Sequence, residues 1–385
     1  MNLADKLTKK PPYKLLALDG GGIRGLITIE VLAEMERLLQ QRLGRGDDFV
    51  LADYFDYVAG TSTGGVIATC IALGLRLDEI RSFYFDSAEL MFEKASILKR
   101  LNYKFEDEPI AQKLRSVFKE KTGEEETTLG SSSLRTLLMV VLRNASTDSP
   151  WPLSNNPKAK YNCPEDRPGC NLNLPLWQVV RASTAAPTYF PPEQISVGTN
   201  RFVFVDGGIT TFNNPAFQLF MMATVEPYNL NWKPKRPEDM LLVSIGTGTS
   251  PEANGALDPD RMNLLFNAST VPSALMFAAL NEQDFLCRVF GRCLVGDLLD
   301  RELDSMVEST GKHGHRGPVD PKLFTYLRYN VELTRPGLAA LGITDIEPEH
   351  VQKLDSVKYK AQLVRVGKAV AQAKVKSSHF AGFDC

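Results

Sequence analysis

The chain is poor in several features that would settle a function class at once. Its apolar runs are short, the longest clear ones covering residues 137–142 and 274–280. Both fall far below the roughly 18 residues that a membrane-spanning helix needs, so no such helix is expected. The first thirteen residues are polar and the next apolar stretch, 15–18, is too short for a signal-peptide core, which makes a cytoplasmic protein the expectation. Histidine is scarce: His313, His315, His350 and His379 are the only four, all in the last fifth of the chain. Chemistry built on the first 300 residues must therefore work without one. Six cysteines (70, 163, 170, 287, 293 and 385) form no CxxC pair, which argues against a zinc site or a disulfide framework. We expect reduced thiols and no metal or other cofactor; only the 163/170 spacing, in a proline-rich loop, leaves a bridge or a ligand pair open. Charge of one sign is also lacking. With 44 Lys and Arg against 46 Asp and Glu, the net charge of −2 favours no nucleic acid polymer as partner.

What is present is the pattern of a globular α/β chain. Residues 14–18 read as a buried strand and 26–43 as an amphipathic helix closed by Gly44; 54–59 and 66–73 repeat the unit after a second glycine turn. Further strands are expected at 136–142, 201–205 and 240–245, and helices around 80–93, 109–119, 176–185 and 216–223. Strands alternating with helices imply a mostly parallel sheet covered on both faces. Residues 144–175, rich in Pro, Asn and Ser, read as one long loop. Beyond about 318 the pattern turns irregular and ends in a helix over 357–376. The 351–376 stretch carries seven basic residues against one acidic. That helix either docks on the core with a solvated basic face or lies on an anionic membrane.

Three motifs follow strands. Asp19-Gly20-Gly21-Gly22-Ile23-Arg24-Gly25 contains GxGxxG between strand and helix, the dinucleotide fingerprint, whose amides and helix start suit an oxyanion as well as a pyrophosphate. The acidic partner that a dinucleotide site wants is not well placed: Asp47 and Asp48 follow a helix stop with no strand before them. Gly60-Thr61-Ser62-Thr63-Gly64 is GxSxG in the strand-to-helix context of a nucleophile elbow. Asp206-Gly207-Gly208, the third motif, ends the strand expected at 201–205. Catalytic groups in open α/β sheets collect at the carboxyl ends of strands, so Ser62, Asp206 and the Gly20–Gly22 amides are expected to converge. A free aspartate is a poor base for a serine, which predicts a partly buried Asp206 with a raised pKa. Two alternatives stand beside this pair: a Ser-His-Asp esterase using His313 or His315, and a nucleotide-binding regulatory module built on Gly20–Gly25.

Together the motifs resemble those of the patatin-like phospholipase family. Residues 182–192 (ASTAAPTYFPP) and Ser244-Ile245-Gly246-Thr247-Gly248 are similar to two more of its segments, so the likeness covers about 14–248. The resemblance implies a three-layer α/β/α fold with a mostly parallel central sheet and a hydrolase of acyl esters in membrane glycerolipids, of phospholipase A type. It makes Ser62 the nucleophile, Asp206 the base and the amides of Gly20, Gly21 and Gly22 the oxyanion hole. Gly25, Gly60, Gly64, Gly207 and Gly208 complete the motifs, and Arg24 either binds lipid phosphate or caps the glycine turn. It also implies residues 1–13 as a lead-in, 14–317 as the catalytic domain and 318–385 as an irregular and helical extension packed on it. Phospholipid is the implied substrate and contact with the membrane surface is transient. The tail, with Tyr326 to Leu333, is similar to bacterial members, some of them nucleotide-activated effectors of antiphage defence, which adds a cyclic-nucleotide activator to the expectations. The oligomeric state stays open.

Overall fold

The structure, a computed structural model, describes residues 3–92, 109–162, 168–187, 189–250, 264–308 and 317–384, with side chains from 274 onward in the fifth stretch. His313, His315 and Cys163 lie outside the described residues. Nine strands form one sheet: β1 Tyr13–Leu18, β2 Tyr57–Thr61, β3 Leu137–Asn144, β4 Ser149–Ser154, β5 Glu193–Val197, β6 Asn200–Asp206, β7 Met240–Ile245, β8 Gly291–Val295 and β9 Phe324–Tyr329. The run β8-β9-β7-β1-β2-β3 is parallel throughout. β4 and the β5–β6 hairpin are antiparallel additions at the β3 end.

Why the sheet is buried on both faces can be read along single strands. In β1, Leu16 and Leu18 point into one apolar cluster while Leu15 and Ala17 point into the other, and β3, β7 and β9 alternate in the same way. The larger cluster is covered by α1 (Gly25–Arg42), α2 (Thr63–Ala72), α3 (Leu77–Asp86), α4 (Pro109–Thr122) and α5 (Leu176–Ser183). The opposite face is covered by α6 (Ala216–Thr224) and the end of the long α7 (Leu264–Phe290), where Cys287 is buried. The fold is thus three-layer α/β/α, with a mostly parallel central sheet.

Several elements depart from the sequence expectation, each for a local reason. The strand expected at 54–59 begins at Tyr57, because Leu51–Tyr54 is a helical turn and buried Asp56 accepts from Lys14 N–H at 2.8 Å and from Lys9 at 2.7 Å. The long loop holds β4, whose Pro150 and Pro152 lack the N–H that a central strand needs and are tolerated because β4 pairs on one side only. The irregular segment beyond 318 contains β9, fully buried between β7 and β8. The terminal helix α8 (Lys360–Lys374) lays Leu363, Val366 and Val370 on the core and crosses α1 at Gly367. A side chain there would press on Glu30 Cβ at 2.8 Å and Ile27 Cα at 2.9 Å. Its apolar face is therefore spent on the protein. Among the described residues, no helix is long and apolar enough to cross a membrane.

Candidate active site

Ser62 is the single residue between β2 and α2, and it carries φ 53° and ψ −123°. A non-glycine residue there is strained by about 1–3 kcal/mol, which the turn must offset. Its surroundings show how. Gly60 and Gly64 meet backbone to backbone, a Cβ on Gly60 colliding with the Gly64 carbonyl. The Ser62 carbonyl accepts from Gly65 at 2.8 Å as α2 starts. The Ser62 N–H donates to Ser183 Oγ at 2.9 Å, and that hydroxyl donates to Val141 O at 2.7 Å. β2, β3 and α5 are so tied to one turn, and Ser62 Oγ stands out of it into a cavity.

Asp206 reaches the serine by a route that strand direction alone would not suggest. β4 lies along β3 from Met139 to Asn144. β2, paired up to Val141, and β6, paired from Leu142, must therefore share the other edge of β3. β6 runs opposite to β2, so the carboxyl ends of the two strands meet head-on, Thr61 beside Val141 and Asp206 beside Leu142. Ser62 Oγ then donates to Asp206 Oδ2 at 2.6 Å, while Asp206 Oδ1 accepts from Gly208 N–H at 2.6 Å. The carboxyl is 6% exposed, and this burial pushes its pKa up to about 6; the Ser62 and Gly208 hydrogen bonds and the Arg181 charge hold it from going further. A hydroxyl bonded to a carboxylate of that affinity can pass its proton on attack. Among the described residues no histidine touches either group: His379 bonds the Tyr329 hydroxyl and His350 stacks on Tyr359.

The glycine loop comes against this pair from β1. Gly22 has φ 58°, a conformation that favours glycine, and a side chain there would strike the Leu354 carbonyl. Its own carbonyl accepts from Thr63 Oγ1 at 2.9 Å and from the Tyr84 hydroxyl at 2.6 Å. Ile23 N–H donates to Leu354 O at 3.0 Å and Thr247 Oγ1 to Gly20 O at 3.0 Å. One correction follows for the expected amides. Gly20 N–H donates to Asn213 O at 3.1 Å and is not free to bind an oxyanion, whereas those of Gly21 and Gly22 have no acceptor among the described residues. Protein atoms crowd the Cα positions of Gly20, Gly21, Gly22 and Gly25, an arrangement unlike the open glycine face that a pyrophosphate needs. Arg24, whose pKa burial lowers to about 10, donates to Gln352 O at 3.0 Å and lines the cavity.

Behind the loop lies a buried charge cluster. Arg328 on β9 grips Asp19 with two bonds of 2.8 and 2.6 Å, both side chains 1% exposed, and also donates to Ser244 Oγ at 2.7 Å. Burial pushes the Asp19 carboxyl upward and the Arg328 charge opposes it. Asp284 on α7 stands 4.0 Å from Arg328 and binds Arg288.

The cavity measures about 680 Å³. Gly20–Gly22, Arg24, Ser62, Asp206 and Asn213 form its polar floor, and Met91, Phe92, Ile110, Tyr189, Phe190 and Met276 its apolar walls. Of the residues singled out from sequence, Ser62, Asp206 and the glycine loop are brought together; Gly207 packs on the Val141 carbonyl and Gly208 binds the carboxylate. Ser183, Asn213 and Arg328 were not singled out. Ser183 lies inside the quoted 182–192 segment and Arg328 inside 326–333, but nothing in either stretch tells which side chain turns toward the site.

A comparison with known families decides the chain's kinship, for the family model described as "Patatin-like phospholipase" matches residues 16–220, more than half of the sequence. The chain belongs to the patatin-like phospholipase family. Among its relatives are a cGAMP-activated phospholipase of Escherichia coli strain TW11681, 35% identical over 212 residues, covering 54% of this chain and 55% of that protein. A cGAMP-activated phospholipase of Vibrio cholerae is 29% identical over 249 residues (62% and 65%). Patatin-T5 of Solanum tuberosum is 30% identical over 261 residues (62% and 61%). The chain thus spans less than two thirds of the length of these patatin-like relatives.

Proposed function

We propose that this protein is a lipid acyl hydrolase of phospholipase A type, with Ser62 as nucleophile and Asp206 as its base. The observation that carries the reading is the 2.6 Å hydrogen bond from a strained, cavity-facing serine to a buried carboxylate. Ser62 Oγ attacks the ester carbonyl carbon and its proton passes to Asp206. The oxyanion is received by the Gly21 and Gly22 amides just before α1, each such donor typically lowering the barrier by about 3 kcal/mol. The protonated Asp206 releases its proton to the departing alcohol, and water then frees the fatty acid from the acyl-enzyme. Arg24, partly engaged by Gln352, faces the cavity where a lipid phosphate would lie. The enzyme works on membrane glycerolipid from the cytoplasm, touching the bilayer transiently.

The names of the two bacterial relatives favour one addition, activation by a cyclic nucleotide. A phospholipid panel incubated with the protein, with and without cyclic dinucleotides, tests both statements. Fatty acid release by the parent and none by Ser62→Ala or Asp206→Ala is expected. Full release by either variant rejects the pair, and release that ignores the nucleotide rejects the activator.

A further inference from the structure

We propose that Asn213 is a further catalytic residue, whose side-chain amide holds the water that hydrolyses the acyl-enzyme. The inference rests on the Ser62–Asp206 reading and adds a partner for its second half. Asn213 is 7% exposed, lines the cavity, and its side chain makes no hydrogen bond among the described residues. Its backbone is fixed, since its carbonyl takes the Gly20 N–H at 3.1 Å. Two motif glycines make room for its side chain. A methyl on Gly20 would collide with Asn213 Oδ1 and stand 3.2 Å from Ser62 Cβ; one on Gly208 would stand 3.0 Å from Asn213 Oδ1 and 3.0 Å from Asp206 Oδ1. The amide oxygen therefore borders two gaps that the glycines keep open, one shared with Ser62 and one shared with Asp206.

The hydrogen-bond inventory says what that oxygen is for. In the resting site Asp206 Oδ2 accepts from Ser62 and Oδ1 from Gly208. Once Ser62 Oγ is esterified it has no proton to donate, and Oδ2 needs a new donor. A water can supply it, but the water's second hydrogen must also find an acceptor in a nearly closed site. Nearby carbonyls are taken: Gly20 O by Thr247, Gly22 O by Thr63 and Tyr84, Phe212 O by Thr61. Among the described residues, Asn213 Oδ1 is a cavity-lining acceptor beside the pair that no other donor takes. With one hydrogen on Asp206 and the other on Asn213, the water's lone pair turns to the acyl carbon. Its oxygen bonds that carbon, one proton moves to Asp206, and collapse returns that proton to Ser62 Oγ as the C–O bond breaks and the carboxylic acid leaves.

A p-nitrophenyl acyl ester separates the two halves of the reaction. In Asn213→Ala the first-turnover burst is expected within about 3-fold of the parent, while steady-state turnover falls on the order of 10- to 100-fold. An acyl adduct on Ser62 then accumulates in the intact-protein mass. Asn213→Asp, which keeps an acceptor oxygen in place, should restore steady-state turnover at pH 8. Should the alanine variant fail to fold, Asn213→Ser, too short to reach the water, is expected to show the same accumulation. Burst and turnover falling together, parent-like turnover in the shortened variants, or an aspartate variant no better than alanine would overturn the assignment. A burst surviving in Ser62→Ala would instead sink the serine reading beneath it.

Discussion

The Ser62 turn and the glycine loop sit side by side in the cavity but are held by different means. Ser62 is set by its own motif: flanking glycines, the start of α2 and one hydroxyl from Ser183. The loop from Asp19 to Gly25 takes two hydrogen bonds from Thr63 and Tyr84 and is otherwise held by residues more than 180 positions away: Asn213, Thr247, Arg328, Gln352 and Leu354. A turn that must hold one side chain in a strained backbone can be encoded locally. A loop that must keep two amides unpaired cannot be, because its other polar groups have to be tied down from outside.

Substitutions can break this contrast. The largest effect is expected at the turn itself, where Ser62→Ala should lower ester hydrolysis by at least about 1,000-fold while leaving the thermal midpoint near the parent's. On the loop side, Arg328→Met strands the buried Asp19 carboxylate and should cost about 3–5 kcal/mol in denaturant unfolding. The double variant with Asp19→Asn should recover part of that loss; no recovery would show that Arg328 acts through something other than Asp19.

A smaller effect of opposite sign is expected from Asp206→Asn. The carboxyl's folded pKa, about 6, lies above its ordinary 3.8, so its contribution to stability is fully present below 3.8 and lost as pH rises through 6. At pH 8 the asparagine variant should therefore be more stable by up to about 3 kcal/mol, and the gain should vanish near pH 4. The same ionisation predicts that kcat/KM rises with pH and levels off above about 6; a flat profile from 4 to 8 would contradict Asp206 as base. The smallest change, Ser183→Ala, leaves the Ser62 N–H unpaired and should cost about 1–3 kcal/mol, with Ser183→Thr milder. An Ser183→Ala variant that matched the parent in stability and rate would show that the turn holds without help from α5.

The same contrast marks how much was legible in the sequence. β7 stands at Met240–Ile245, where its apolar run placed it, and α1, α2 and α6 differ from expectation by a few residues at their ends. Periodicity and glycine punctuation carry that information locally. β4 was hidden by its two prolines and β9 by short irregular flanks, for being a strand there is decided by pairing partners rather than by the segment. At the site, Ser62 and Asp206 were legible because elbow and strand-end glycines announce them. Their head-on meeting was not: it depends on β6 running antiparallel and taking up the edge of β3 where β2 stops. Arg328 and Asn213 left no local mark, since an arginine in a strand and an asparagine in a turn have many ordinary uses.

The Leu354 carbonyl that receives Ile23 N–H has a consequence for how the protein comes into being. Strand β9 must be threaded between β7 and β8, and the 352–354 segment laid over Gly22, before the glycine loop can take its shape. A polypeptide still emerging from the ribosome, or a fragment trimmed to residues 16–220, therefore holds the serine and the aspartate without the seat beside them.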